Sequence, residues 1–239
     1  MAITAEQIRD NYKHIQERIA KAAEVSGRDT KAIHLVVVTK KQPVSLIRAA
    51  VEVGIRTFGE NYPEEALPKI EVIGPVQGLE WHMIGHLQSR KARLVGDHFQ
   101  RLHSLDSLHL AVKLNDLLAA PDKMLPVFLE FNVGGEESKS GWPAWDEAGW
   151  KTLVPELKQI LELSRLHVEG LMTMPPLSED VTLTRSYFQK LKRLSLFLTD
   201  KLGIPLPELS MGTSADFEVA IEEGATYLRI GQAILGPRI

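Results

Sequence analysis

The sequence predicts a (β/α)8 barrel of the TIM type with one extra helix at its N-terminus. Three observations carry this expectation. Short apolar runs alternate strictly with helical patterns; the alternation gives eight runs between His34 and Ile230; and each run but the last is followed by a helix. Strict alternation implies a parallel sheet, and eight units fit a closed barrel. A doubly wound open sheet is the alternative, because the second, third and seventh runs are short. No linker, low-complexity segment or charge block divides the chain, so residues 1–239 are expected to form a single domain.

The first helix starts at a capping box, Thr4 with Gln7, carries Ile8, Tyr12, Ile15 and Ile19 on one face, and ends near Ser26-Gly27. His34 to Thr39 reads as a buried strand, and a helix opens at Pro43 and runs through Val53. Thr57-Phe58-Gly59 is the second strand, followed by a helix from Glu64 to Val72. Trp81 to Ile84 is the third, with a helix over Ser89 to Val95. Arg101 to Leu105 is the fourth, with a helix over Ser107 to Leu118. Leu125 to Val133 is the fifth and most strand-like run, and a helix around Trp150 to Leu163 follows. Leu166 to Thr173 is the sixth, and the helix over Thr182 to Leu202 sets Leu183, Phe188, Leu191, Leu194 and Leu198 on its apolar stripe. Glu208 to Met211 is the seventh, with a helix from Ser214 to Glu223, and Thr226 to Ile230 is the eighth.

Composition narrows the function. The 239 residues are 44% hydrophobic and 25% charged with a formal charge of −3, which excludes wholesale disorder and gives no electrostatic reason to expect nucleic acid or an anionic membrane as partner. The absence of cysteine excludes a disulfide scaffold, a thiolate zinc site and a cysteine nucleophile. The N-terminus has no apolar signal region, and no run approaches the ~18 apolar residues of a membrane span, so a soluble cytoplasmic protein is expected.

In such a barrel, functional residues sit at the C-terminal ends of strands. Two features stand out there. Lys40 leaves the run Leu35 to Thr39, where desolvation would lower an amine's pKa and free it for Schiff-base chemistry; a solvent-facing strand-end lysine is the simpler reading of Lys40 alone. Ser210-Met211-Gly212-Thr213-Ser214 runs into a helix start and, with Arg229 and the Gly231-Gln232 turn, could hold an anion, although two ordinary tight turns would look alike. A lysine and a phosphate cradle on one rim suggest pyridoxal phosphate, or a sugar-phosphate aldolase that works through a lysine imine. His82 and His86 have the spacing of helical zinc ligands, but Gly85 argues for strand and loop. The loop Gly134 to Gly141 lacks nucleotide-binding spacing, though Lys139 within it could meet a ligand. Met172 and Met174 read as barrel lining near the rim, and Trp142, Trp145 and Trp150 as packing or interface.

These residues carry a resemblance. The sequence closely resembles the pyridoxal phosphate homeostasis proteins, which share the barrel of the alanine racemase N-terminal domain. The likeness runs through Val38 to Pro43, Phe58 to Tyr62, Trp81 to Gly85 with Leu87-Gln88-Ser89, Asn132 with Glu136, Lys139 and Gly141, Gly170 to Pro175, Leu209 to Asp216, Ala220-Ile221 and Arg229 to Gly231. The resemblance implies that Lys40 is the Schiff-base lysine, that Asn61 lies near the cofactor ring, and that Ser210, Gly231 and Gln232 surround the phosphate. Arg229 corresponds to the family arginine near the cofactor, at its phosphate or its ring nitrogen. Met172, Met211 and Thr213 complete the expected contacts; no catalytic or metal-binding residue is assigned. Gln42, His86, Arg90 and Thr213 depart from the family's usual Lys, Pro, Asn and Met.

A racemase needs a base on each face of the bound amino acid. In the resembled racemases the second base is a tyrosine from a separate C-terminal domain of a partner subunit. This chain ends at Ile239, soon after its last strand, so that domain is expected to be absent, and no opposed geometry is expected of Tyr62, Tyr187 or Tyr227. The expectation is therefore a monomeric protein that holds pyridoxal phosphate on Lys40 and passes it to dependent apoenzymes, with little or no catalysis. An amino-acid racemase, a lysine-imine aldolase and a purely structural barrel are the alternatives.

Overall fold

A computed structural model describes residues 3–118 and 123–237. Nine strands lie among them: β1 (His34–Val38), β2 (Thr57–Glu60), β3 (Glu80–Met83), β4 (Arg101–Leu105), β5 (Leu125–Asn132), β6 (Trp142–Pro143), β7 (Leu166–Met172), β8 (Glu208–Ser210) and β9 (Tyr227–Ile230). The helices are α1 (Ala5–Val25), α2 (Val44–Val53), α3 (Pro63–Ile73), α4 (Ala92–His98), α5 (Leu108–Leu117), α6 (Val154–Leu161), α7 (Val181–Leu202), α8 (Phe217–Glu222) and α9 (Gln232–Leu235). Every strand pairing is parallel. β1 pairs with both β2 and β9, and β4 pairs with β5, so eight strands close into a ring and the open-sheet alternative falls. β6 attaches to β5 outside the ring.

The expected N-terminal helix is present with its capping box. The Thr4 side chain accepts from the Gln7 N–H at 3.2 Å, and the Gln7 side chain accepts from the Thr4 N–H at 2.9 Å. Its Ile8, Ile15 and Ile19 face packs on α2, α8 and α9. Arg28, just beyond the helix, donates to the carbonyls of Ile221 (2.8 Å) and Ala225 (2.6 Å), tying the entry of the chain to the last barrel unit.

The structure corrects four local expectations. β6 was not foreseen, because two residues show no period. The helices expected over Ser89–Val95 and Trp150–Leu163 begin as 3-10 turns, over Ser89–Lys91 and Glu147–Thr152, and reach α-geometry only at Ala92 and Val154. The helix expected from Ser214 starts at Phe217, because the Asp216 carboxylate captures the Thr213 N–H (2.6 Å) and hydroxyl (3.0 Å) and holds residues 213–216 as a turn. His34, read as part of a buried run, is exposed at the barrel's lower edge.

Alternation along the strands divides the core in two. Val37, Phe58 and Leu102 point outward into the layer between strands and helices. Val36, Phe128, Met172 and Tyr227 form a small apolar cluster inside the ring. The interior also buries polar groups: His82, His103, Ser210 and Arg229.

Candidate ligand site at the C-terminal rim

A cavity of about 320 Å³ opens at the C-terminal ends of the strands, within the size range of small-ligand sites. Its wall brings together Lys40, Asn61, Thr213, Arg229, Gly231 and Gln232, six of the residues the sequence singled out.

Lys40 is half-buried directly after β1, and its backbone is held from beneath by a buried charge network. Thr39 donates its N–H to the Gly59 carbonyl (2.9 Å) and its hydroxyl to Glu60 Oε1 (2.7 Å). Lys69 Nζ donates to the Thr39 carbonyl at 2.9 Å, to Glu60 Oε1 at 2.7 Å and to Glu65 Oε1 at 2.6 Å. Lys41 takes a left-handed φ of 58° and donates its N–H to Glu65 Oε1 at 2.5 Å. Both neighbours of Lys40 are thus fixed by one lysine and two carboxylates. Burial raises the Glu60 pKa, with Lys69 and the Thr39 hydroxyl pulling it back.

The opposite wall is an anion-binding corner. Gly212 sits at φ +94°, where a Cβ would stand 2.7 Å from the Ala220 Cβ, so only glycine makes this turn without strain. Beyond it, the N–H groups of Ser214 and Ala215 have no hydrogen-bond partner among the described residues. Gln232 opens α9; the Gly231 carbonyl takes the N–H groups of Ile234 and Leu235, and those of Gln232 and Ala233 have no partner among the described residues. Arg229 is buried, donating from Nη1 to Ser210 Oγ (2.5 Å) and from Nη2 to the Thr173 carbonyl (2.8 Å). Burial lowers its pKa to about 10 against the pull of Glu130 and Asp216, so it stays a cation at neutral pH. Between these walls, Asn61 Oδ1 is buried with no hydrogen-bond partner among the described residues.

Met172, Ser210 and Met211 do not form the cavity wall. Met172 lies in the inner cluster with Val36, Phe128 and Tyr227. Ser210 faces inward one layer below, against Arg229, and the next residue, Met211, packs into the outer core. Lys139 reaches the wall with its Nζ 3.8 Å from Glu136 Oε2. Leu177 lies outside every motif the sequence offered, and Ala215, within the Leu209–Asp216 motif, was assigned no contact; loops beyond the strand ends bring both to the wall. The two histidines whose spacing matches helical zinc ligands, a reading that Gly85 opposes, are separated. His82 is inside the barrel, whereas His86 is on the rim with Nδ1 2.8 Å from Asp106 Oδ2. Among the described residues no cluster of three or more His, Cys, Asp or Glu could hold a metal ion, and no helix is long and apolar enough to cross a membrane.

Residues 3–238 match the family model described as "Alanine racemase, N-terminal domain". The chain is 39% identical to the pyridoxal phosphate homeostasis protein of Pseudomonas aeruginosa, over 97% of this chain and 96% of that one. The chain belongs to the pyridoxal phosphate homeostasis protein family. Another member, from Escherichia coli, is 40% identical over 97% of each chain. Among solved structures, PipY of Synechococcus elongatus with PLP bound superposes with a TM-score of 0.78 at 32% identity, over 93% of this chain and 100% of that one. The family relation and the closed ring agree on an alanine racemase-like parallel barrel.

Proposed function

We propose that this protein binds pyridoxal 5'-phosphate reversibly through Lys40 and serves intracellular vitamin B6 homeostasis as a carrier with little or no catalysis. The observation that carries this reading is the cavity that faces Lys40 with an anion-binding corner on one barrel rim. The residues fit the ligand group by group. Lys40 is the amine that meets the aldehyde; the unpaired N–H groups of Ser214 and Ala215, with Gln232, receive the phosphate; and the bare Asn61 Oδ1 accepts from a ring hydroxyl. When bound, the cofactor supplies an aldehyde that condenses with an amine and releases water. Arg229 adds a fixed positive charge in the cavity wall, and the Lys69–Glu60–Glu65 network keeps the Lys40 backbone in place.

Carriage is favoured over racemisation by what stands opposite Lys40. No tyrosine lines the cavity among the described residues. Tyr227 is in the barrel interior, stacked on His34 at 4.6 Å between ring centroids, and Tyr62 is half exposed outside the cavity. A second base on the far face of a bound amino acid is what racemisation requires. The proposal extends to a monomeric, single-domain cytoplasmic protein whose partners are pyridoxal phosphate and the apoenzymes that accept it.

The test is an absorption spectrum followed by borohydride reduction and peptide mapping. A yellow band, with a pyridoxyl adduct on Lys40 that is lost in Lys40→Ala, supports the reading. Protein that stays colourless and unlabelled after addition of pyridoxal phosphate refutes it. Solvent-hydrogen exchange at the α-carbon of any amino acid in a broad panel would restore the racemase alternative.

A further inference from the structure

A continuous string of hydrogen bonds runs down the inside of the barrel from the ligand cavity to the opposite face. Arg229 Nη1 lies 2.5 Å from Ser210 Oγ; Ser210 Oγ lies 2.7 Å from His103 Nδ1; His103 Nε2 lies 3.1 Å from His82 Nδ1; and His82 Nε2 lies 3.0 Å from Glu80 Oε2. The four groups from Arg229 to His82 are buried, whereas the Glu80 side chain is 46% exposed at the N-terminal end of the barrel. Each link comes from a different strand or turns a strand's inward face to account: β9, β8, β4 and β3 in order.

Only one arrangement of protons satisfies every member. The guanidinium of Arg229 can only donate, so Ser210 Oγ accepts from it. The Ser210 hydroxyl proton then has one acceptor among the described residues, His103 Nδ1. A neutral His103 with a bare Nδ1 carries its proton on Nε2 and donates to His82 Nδ1. His82 in turn carries its proton on Nε2 and donates to the Glu80 carboxylate. The reverse order would leave the serine proton without an acceptor and would set a bare His82 Nε2 against a carboxylate at 3.0 Å. Arg101 Nη1 is 3.4 Å from the same nitrogen, but Arg101 spends its Nε and Nη2 on Glu169 at 2.7 and 3.1 Å, and the closer carboxylate fixes the His82 proton. Burial lowers the pKa of both histidines, His103 well below its ordinary value, which keeps both rings neutral. Phe128 stacks on His103 at 4.5 Å and Tyr227 meets it edge-on at 5.4 Å, so the His103 ring cannot turn without disturbing the inner cluster.

We propose that Ser210, His103 and His82 are positioning residues for Arg229: a one-way relay, from Arg229 through Ser210, His103 and His82 to Glu80, that locks the guanidinium in the wall of the ligand cavity. The relay rests on the protein's own geometry; its effect on affinity rests on the pyridoxal phosphate reading above. Without the His103 acceptor, the Ser210 hydroxyl is left to compete with Arg229 for other partners, and the guanidinium keeps only the Thr173 carbonyl, through Nη2, of the two oxygens that orient it toward the ligand.

The experiment has two arms. In the first, two-bond 1H–15N correlation spectra of uniformly 15N-labelled, cofactor-free protein report the tautomers, with His103→Asn and Ser210→Ala used for assignment. Both His82 and His103 are expected as the Nε2–H form, and Ser210→Ala is expected to introduce Nδ1–H character at His103. An Nδ1–H tautomer on either ring of the wild-type protein overturns the relay. In the second arm, equilibrium titration with pyridoxal phosphate is expected to show about tenfold weaker binding in His103→Leu and in Ser210→Ala, the scale of one charge-assisted hydrogen bond. His103→Asn, whose Oδ1 can stand at the Nδ1 position and accept from Ser210, is expected to recover most of that loss. Folded Ser210→Ala and His103→Leu that bind as tightly as wild type overturn the positioning role. If the tautomers are as expected and the wild-type protein binds no pyridoxal phosphate, the ligand reading falls and the relay stands.

Discussion

Glu130 offers the sharpest test of the electrostatics around the cavity. It lies near the C-terminal end of β5, buried, with Oε2 unpartnered among the described residues. Burial first and the nearby Asp106 carboxylate second push its pKa from 4.5 up to about 7, against the pull of Arg229 and Lys139. A carboxyl whose folded pKa is raised contributes stability that is present below its unfolded value and lost as the pH rises through the folded one. Here that window runs from about 4.5 to about 7. The whole window corresponds to about 3 kcal/mol, of which about 2.5 kcal/mol falls between pH 5 and pH 8. His82 and His103 act in the opposite sense. Their pKa values are lowered, so they add stability as the pH rises toward 6.5, and the wild-type curve mixes both slopes. The difference between Glu130→Gln and wild type cancels the histidines and isolates Glu130. Urea unfolding at pH 5, 6, 7 and 8 is expected to show that difference shifting by about 2.5 kcal/mol in favour of the variant as the pH rises. A flat difference curve would refute the reasoning, because Glu130 would then titrate as an ordinary carboxyl.

Two further perturbations test the supports of the site. Lys69→Met leaves buried Glu60 and its neighbour Glu65 without their cation and is expected to cost about 3–5 kcal/mol of unfolding free energy. The double variant Lys69→Met/Glu60→Gln should recover part of that loss, and strictly additive single effects would show that the three groups do not act as a unit. Gly170→Ala would place a Cβ 1.8 Å from the Glu208 carbonyl where β7 meets β8, and is expected to cost at least about 2 kcal/mol, read as a Tm lower by about 4 °C or more. An unchanged Tm would show that the two strands have room to part there.

The barrel was legible because its signals are local and repeated. The Thr4/Gln7 cap, the apolar stripe of α7 and the run that became β5 each declare their period within a dozen residues, and alternation did the rest. Lys40, Thr213, Arg229, Gly231 and Gln232 were legible for a related reason: the fold places strand ends on one rim, so a list of strand ends is already a list of neighbours. The same rule does not put Ser210 or Met211 in the cavity wall: Ser210 turns inward to Arg229 and Met211 outward into the core, and the short β8 carries too few residues to show that phase.

What stayed hidden is what distant parts of the chain assemble. Nothing in the sequence singled out His103, and the one pattern offered for His82 paired it with His86 on the same segment. Its actual partners are Glu80, two residues back on the same inward face, and His103, its neighbour across the β3–β4 pairing. The Glu80 contact has only the ordinary two-residue period of any strand, and the His103 contact is set by a lateral register in which His82 lies opposite Arg101, so neither stands out in the sequence. The Lys69 network is of the same kind: a lysine on α3 reaches across to the carbonyl of Thr39 because the strand-to-helix unit of β2 packs beside that of β1. Sequence order names the groups that line the cavity at the rim, whereas the groups that hold those in place belong to neighbouring strands. The orientation of Arg229 therefore depends, besides the Thr173 carbonyl on Nη2, on residues from three other strands on Nη1, and a substitution deep in the barrel should be felt at the rim before any rim residue is touched.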